Sequence, residues 1–110
     1  MAQLIDLREY PRFDGDGFVA QIGQELVKVI DISIAGVRLE RAENWISCRN
    51  IEFQIIPVLG NELDHFRAVD VRGHVVGVDT SQLRIVYAAV SMALANVIGC
   101  YGEMALPEAG

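Results

Sequence analysis

The chain has 110 residues, a length that suits one compact domain and leaves no room for two. Hydrophobic residues make up 52%, which excludes a disordered tail, and the formal net charge of -6 argues against nonspecific binding to nucleic acid or to an anionic membrane surface. Eight of the nine basic residues are Arg and one, Lys28, is Lys. Arg presents a planar fork that pairs with phosphate or stacks on a base, which the Lys ammonium does not.

In chain order, residues 1–17 read as an irregular arm and hinge. Asp6, Arg8 and Glu9 interrupt any apolar run there, so no signal peptide is expected. Pro11 disfavours helix and pushes Tyr10 toward an extended conformation. Asp14-Gly15-Asp16-Gly17 reads as a turn. Strand-like runs follow at Phe18–Ile22, at Glu25–Ile32, and at 37–41 after Gly36. Another run at 51–56 is expected to stop at Pro57. Two short strands are expected at 66–71 and 75–78, around Arg72-Gly73-His74.

Six short strands with polar turns predict a mainly all-β fold, a small six-stranded antiparallel barrel or sandwich. Ser81 is placed to cap a closing C-terminal α-helix that runs to about residue 99 or 101. With Leu83, Ile85, Val86, Val90, Met92, Leu94, Val97 and Ile98, that helix is apolar on most sides. Such a helix asks for burial on more than one face, either on the barrel alone or against a second protomer or partner. Arg84, Ser91 and Asn96 argue against a membrane span. Residues 18–101 form the expected domain, and 102–110 a tail.

Cys48 and Cys100 have no metal-ligand spacing and read as small buried thiols, which suits a reducing compartment. His65 and His74 lack a Cys or carboxylate set to complete a metal site. Ser33 has Asp31 near it but no His in reach by sequence, so neither a hydrolase triad nor any other enzyme is supported.

The chemistry sits in two short patterns. The first is Arg8-x-x-x-Arg12, in a segment that Pro11 keeps out of helix. Residues four apart on an extended chain point to one side, about 13 Å apart. Two guanidinium groups so placed can close over a flat dianion, forking onto phosphate or onto guanine O6 and N7. The second pattern, 19 residues after Arg12, is Asp31-x-Ser33-x-x-Gly36. Asp31 is an acceptor for guanine N1–H and N2–H. Ser33 can donate to phosphate or N7, or cap the turn. Gly36 permits a positive φ and close approach of a flat ligand. Arg38, on the following strand, is a further candidate for the ligand site or, on the plainer reading, part of a solvated strand face.

Each pattern alone is common. Their order, their separation and the six-strand-plus-helix frame together resemble the PilZ domain family, over nearly the whole chain from Leu7 to the C-terminal helix. Arg8 and Arg12 match its first motif, and Asp31, Ser33 and Gly36 its second. The segment 72–78 looks like its closing hairpin. The resemblance implies a bacterial, cytoplasmic receptor that binds cyclic di-GMP, needs no cofactor or metal, performs no catalysis, and changes its contacts with a protein partner or fused domain when the N-terminal arm closes. Where many members carry one more Arg before the first motif, this chain has Leu7. One ligand per domain is therefore expected rather than a stacked pair. The alternative is a ligand-independent adaptor of the same fold, working through the apolar helix, with a homodimer through that helix as a further expectation.

Overall fold

The computed structural model describes residues 11–40, 49–78, 81–89 and 91–101. Eight strands are present among them: β1 (Phe13–Asp14), β2 (Phe18–Ile22), β3 (Glu25–Ile32), β4 (Gly36–Glu40), β5 (Asn50–Leu59), β6 (Glu62–Leu63), β7 (Val69–Val78) and β8 (Gln82–Tyr87). One helix, α1 (Met92–Tyr101), follows. Every pairing is antiparallel. The order β3-β2-β5-β7-β8-β4 returns to β3, so six strands close into a barrel, with β1 added beside β3 and β6 beside β5.

The alternation seen in the sequence sets the inside. Leu83, Ile85 and Tyr87 of β8 point into the core, as do Val69, Val71 and Val75 of β7 and Phe53 and Ile55 of β5. Gly23, at φ 61°, sits in the tight turn between β2 and β3, a conformation that costs glycine little.

The stretch from β1 through β2 runs antiparallel along β3. Phe13 lies opposite Ile32 and Asp14 opposite Asp31; further on, Val19 lies opposite Lys28 and Ile22 opposite Glu25. Between them Gly15–Gly17 form one 3-10 turn beside Val29 and Ile30. A Cβ on Gly15 would stand 1.8 Å from the Val29 carbonyl oxygen, so this turn packs against β3 only because Gly15 has no side chain.

Three expectations need correcting. The closing helix does not begin at Ser81. Residues 82–87 are strand β8, which pairs with β4 on one side and β7 on the other. In that run Leu83, Ile85 and Tyr87 are buried while Arg84 is exposed, a period of two that the overall apolar density hides. Residues 66–71 and 75–78 are not two strands either. β7 runs unbroken through Gly73, and His65–Arg67 form a 3-10 turn, so 72–78 is one strand rather than a hairpin. Lastly, β5 continues through Pro57, which lies opposite Phe18 at the end of the β2 pairing, where a missing N–H is tolerated.

The shorter helix packs on β5 and β7 with Leu94 and Ile98 buried. The case for a partner on its other face loses Leu83, Ile85 and Val86, which belong to β8. Cys100 is exposed rather than buried, and Cys48 lies outside the described residues. Tyr101 Oη donates to Asp64 Oδ2 at 3.0 Å and ties the helix end to the segment after β6. No helix among the described residues is long and apolar enough to cross a membrane.

Candidate functional site

The hairpin β3–β4 is the framework of the site. Ser33 N–H donates to the Gly36 carbonyl at 2.9 Å, so Ile34 and Ala35 form its tip. The Ser33 hydroxyl accepts from Ala35 N at 3.1 Å and Gly36 N at 3.2 Å, and contacts the Gly36 carbonyl as donor at 3.4 Å. With Ser33 only 2% exposed, its hydroxyl serves the turn. Ser33→Ala removes the acceptor of two buried N–H groups. It is expected to lower stability by about 1–3 kcal/mol in urea denaturation.

Counting outward from that tip, Ile32 lies opposite Val37 and Asp31 opposite Arg38. The register continues sideways, placing Asp14 beside Asp31 and Arg84 beside Arg38. Asp31 is 8% exposed, and a carboxylate buried that far needs partners. It has two. Arg12 Nη1 donates to Asp31 Oδ1 at 3.0 Å across 19 residues of sequence. Arg38 Nε donates to Oδ2 at 2.9 Å, and Arg38 Nη2 reaches the same oxygen. Arg38 also donates from Nη1 to Gln82 Oε1 at 3.4 Å. The hydrogen bonds and negative charge of Asp31 push the Arg38 pKa up, against the opposing effect of burial.

Two guanidinium groups thus share one carboxylate, which leaves one unit of positive charge in excess on a chain of net charge -6. The two arginine side chains keep 31% and 34% of their surface exposed, so both can be offered to a ligand. The site is an open surface formed by Arg12 and the β3–β4 hairpin. Neither of two hollows elsewhere on the barrel, of about 730 and 530 Å³, is lined by Arg12, Asp31 or Arg38.

The structure therefore brings Arg12, Asp31, Ser33, Gly36 and Arg38 to one place. Arg8 and Leu7 lie outside the described residues. Gly36 departs from expectation in one respect. The positive-φ glycines among the described residues are Gly23 and Gly60, and Gly36 is an extended strand residue opposite Val86. The Ser33 hydroxyl ties the turn, accepting from Ala35 and Gly36 N–H. Arg38 is half-buried: the hairpin register sets it against Asp31, while about a third of its side chain stays in solvent. Gln82 was not a candidate, since 82–87 read as helix; treating that segment as a strand puts Gln82 opposite Glu40 and next to the cluster.

Among the described residues no group of three His, Cys, Asp or Glu side chains is placed to hold a metal ion. No family model matches the sequence, and no curated protein matches it. Solved structures share the fold. An uncharacterized Legionella protein superposes with a TM-score of 0.60 at 10% identity, over 81% of this chain and 88% of that one. The Bacillus subtilis inhibitor of motility MotI/DgrA does so with a TM-score of 0.59 at 15% identity, over 90% of this chain and 51% of its own, so the chain spans about half of that protein. The PilZ domain of CeSA from a cellulose-synthesizing bacterium overlaps more loosely, with a TM-score of 0.46 at 11% identity over 83% and 92% of the two chains.

Proposed function

We propose that this domain is a cyclic di-GMP receptor of the PilZ type. The observation that carries the reading is the ion pair between Arg12 and Asp31 at 3.0 Å, which joins the two motifs into one surface. The Bacillus inhibitor of motility, which shares the fold, is by its name a regulatory protein, and that is compatible with a receptor or adaptor role here.

On this reading the site works by exchanging partners. In the free domain Asp31 neutralises part of the charge of Arg12 and Arg38. Cyclic di-GMP brings two phosphates and two guanines. The guanidinium groups of Arg8, Arg12 and Arg38 turn to phosphate and to guanine O6 and N7. Asp31, released in part, accepts from guanine N1–H and N2–H. Ser33 and Gly36 act through shape: the hydroxyl holds the turn, and the glycine leaves the surface beside Asp31 low. The arm that carries Arg8 and Arg12 closes over the ligand and alters what the domain presents to a protein partner. The ligand shifts that equilibrium only by its differential affinity for the closed arrangement.

Titration calorimetry with cyclic di-GMP tests this. Binding tighter than about 10 μM, roughly 7 kcal/mol, with one ligand per chain is the expected outcome. Absence of heat at tens of micromolar overturns the reading, and two nucleotides per chain overturns the role given to Leu7.

A ligand-independent adaptor is the second reading. Phe66, at 96% exposure, favours it, since a fully exposed aromatic ring is a typical protein contact. Arg12→Ala separates the two: an adaptor keeps its partner, and a receptor loses control of it.

A further inference from the structure

The row of residues that holds the arginine cluster does not end at Arg38. On the outer face of β4 and β8, Gly36 lies opposite Val86, Arg38 opposite Arg84 and Glu40 opposite Gln82, while Val37, Leu39, Leu83 and Ile85 between them are buried. Side by side across four strands the row reads Asp14, Asp31, Arg38, Arg84. Its two carboxylates stand at the β1–β3 end and its two guanidinium groups at the β4–β8 end. Arg84 is exposed and takes no part in the ion pairs around Asp31.

Two like charges directly opposite on neighbouring strands repel each other. Arg38 is held where it is, by Asp31 through Nε and Nη2 and by Gln82 through Nη1. Arg84 turns away from it, over β7. Its register partner there is Gly77, and a Cβ on Gly77 would stand 3.2 Å from both Nε and Nη2 of Arg84. The guanidinium thus lies against bare backbone, in space that another residue's side chain would crowd. Among the described residues it has no hydrogen-bond or ion-pair partner, Glu40 one pair along included. Asp31 neutralises part of the charge of Arg38, whereas no carboxylate among the described residues meets that of Arg84.

Rotation about its own side-chain bonds brings the Arg84 guanidinium back over the β4–β8 pairing, beside Arg38. Paired strands stand about 4.8 Å apart, so forks from neighbouring strands can close on one phosphate. We infer that Arg84 is a phosphate-binding residue of the same surface, resting on Gly77 in the free domain and drawn to cyclic di-GMP when it binds. The row then orients the nucleotide. One phosphate sits between Arg38 and Arg84 over the β4–β8 pairing, and a guanine N–H edge faces Asp31 toward β3. This role rests on the cyclic di-GMP reading and adds to it a residue that lies outside both sequence patterns.

Calorimetry with cyclic di-GMP is run on the wild type, on Arg84→Ala and on Arg67→Ala, which removes the same charge from the turn His65–Arg67. Arg84→Ala is expected to bind about tenfold more weakly, the loss of one charge-assisted hydrogen bond, and Arg67→Ala within about twofold of the wild type. Because Arg84 is exposed, the urea midpoint of Arg84→Ala should match that of the wild type. In isotope-labelled wild type the Gly77 backbone amide is expected to shift by NMR as ligand is added, because the guanidinium leaves it. In Arg84→Ala that amide should stay where it is. Binding by Arg84→Ala within about twofold of the wild type overturns this role and leaves the receptor reading standing. So does an equal loss in Arg67→Ala, a lowered urea midpoint in Arg84→Ala, or a Gly77 amide that shifts alike in both proteins. No binding by the wild type overturns the role and the receptor reading together.

Discussion

Replacing Arg12 by Ala is expected to weaken cyclic di-GMP binding by about 100-fold while leaving the fold almost as stable as before. Arg12 offers charge-assisted hydrogen bonds, each of about 1.5–3 kcal/mol, and a fork of two comes to about 3 kcal/mol. Tenfold in affinity is about 1.4 kcal/mol, which gives the factor quoted. The small effect on stability follows from the geometry. Asp31 keeps Arg38 on Oδ2 when Arg12 is removed, so the buried carboxylate is not left alone. Arg12 is itself about a third exposed, and pairs of that kind contribute little. Calorimetry for binding and urea denaturation for stability check the two halves separately. A large loss of both would mean that Arg12 is a structural residue. No loss of binding would remove it from the ligand surface.

Gly15→Ala is expected to be the more damaging change for the fold. The added methyl would overlap the Val29 carbonyl oxygen at 1.8 Å and the Val29 carbonyl carbon at 2.3 Å. Both are backbone atoms in the middle of β3, so no side chain can swing aside. The 3-10 turn must lift away, at a cost of about 3 kcal/mol or more. What lifts with it is β1, whose Phe13 and Asp14 pair with the end of β3. Arg12 lies one residue before β1, so the ion pair to Asp31 should loosen as well. The expected outcome is a clear drop in the urea midpoint together with weaker nucleotide binding, although Gly15 itself need not touch the ligand. Unchanged stability would show that the turn does not press on β3 as described.

The barrel was legible where side chains alternate between a buried and an exposed face. Phe18–Ile22 and Glu25–Ile32 show this, and the structure has those bounds for β2 and β3. It was hidden where one apolar run leads into the next. The apolar content of Gln82-Leu83-Arg84-Ile85-Val86-Tyr87 merges with that of α1 after a short connection. Composition there could not separate a strand followed by a helix from one long helix. Gly73 and Pro57 misled in the same direction, because residues that often end strands are tolerated inside β7 and β5. For the site, the residue types pointed to Arg12 and Asp31, while their contact depends on β1 pairing with β3, a long-range fact. Arg38 and Gln82 required strand register, which residue spacing gives only after the turn at Ile34-Ala35 is fixed.

The way the barrel closes has a consequence for how the chain reaches this state. β3 and β4 can pair early as a local hairpin, and so can β7 and β8. The seam between β4 and β8 joins residues near 40 to residues near 82, with β5, β6 and β7 intervening in sequence. Its loop-closure entropy must be met before the seam gives anything back. Formation of that seam is accordingly the expected slow step of refolding, and the hydrogen bond from Arg38 to Gln82, which crosses it diagonally, forms only once it is complete. The pairs of Asp31 with Arg38 and Arg12 need only β4 and β1 on either side of β3, so the seam adds the Gln82 contact and the closed frame around an arginine cluster that is already joined.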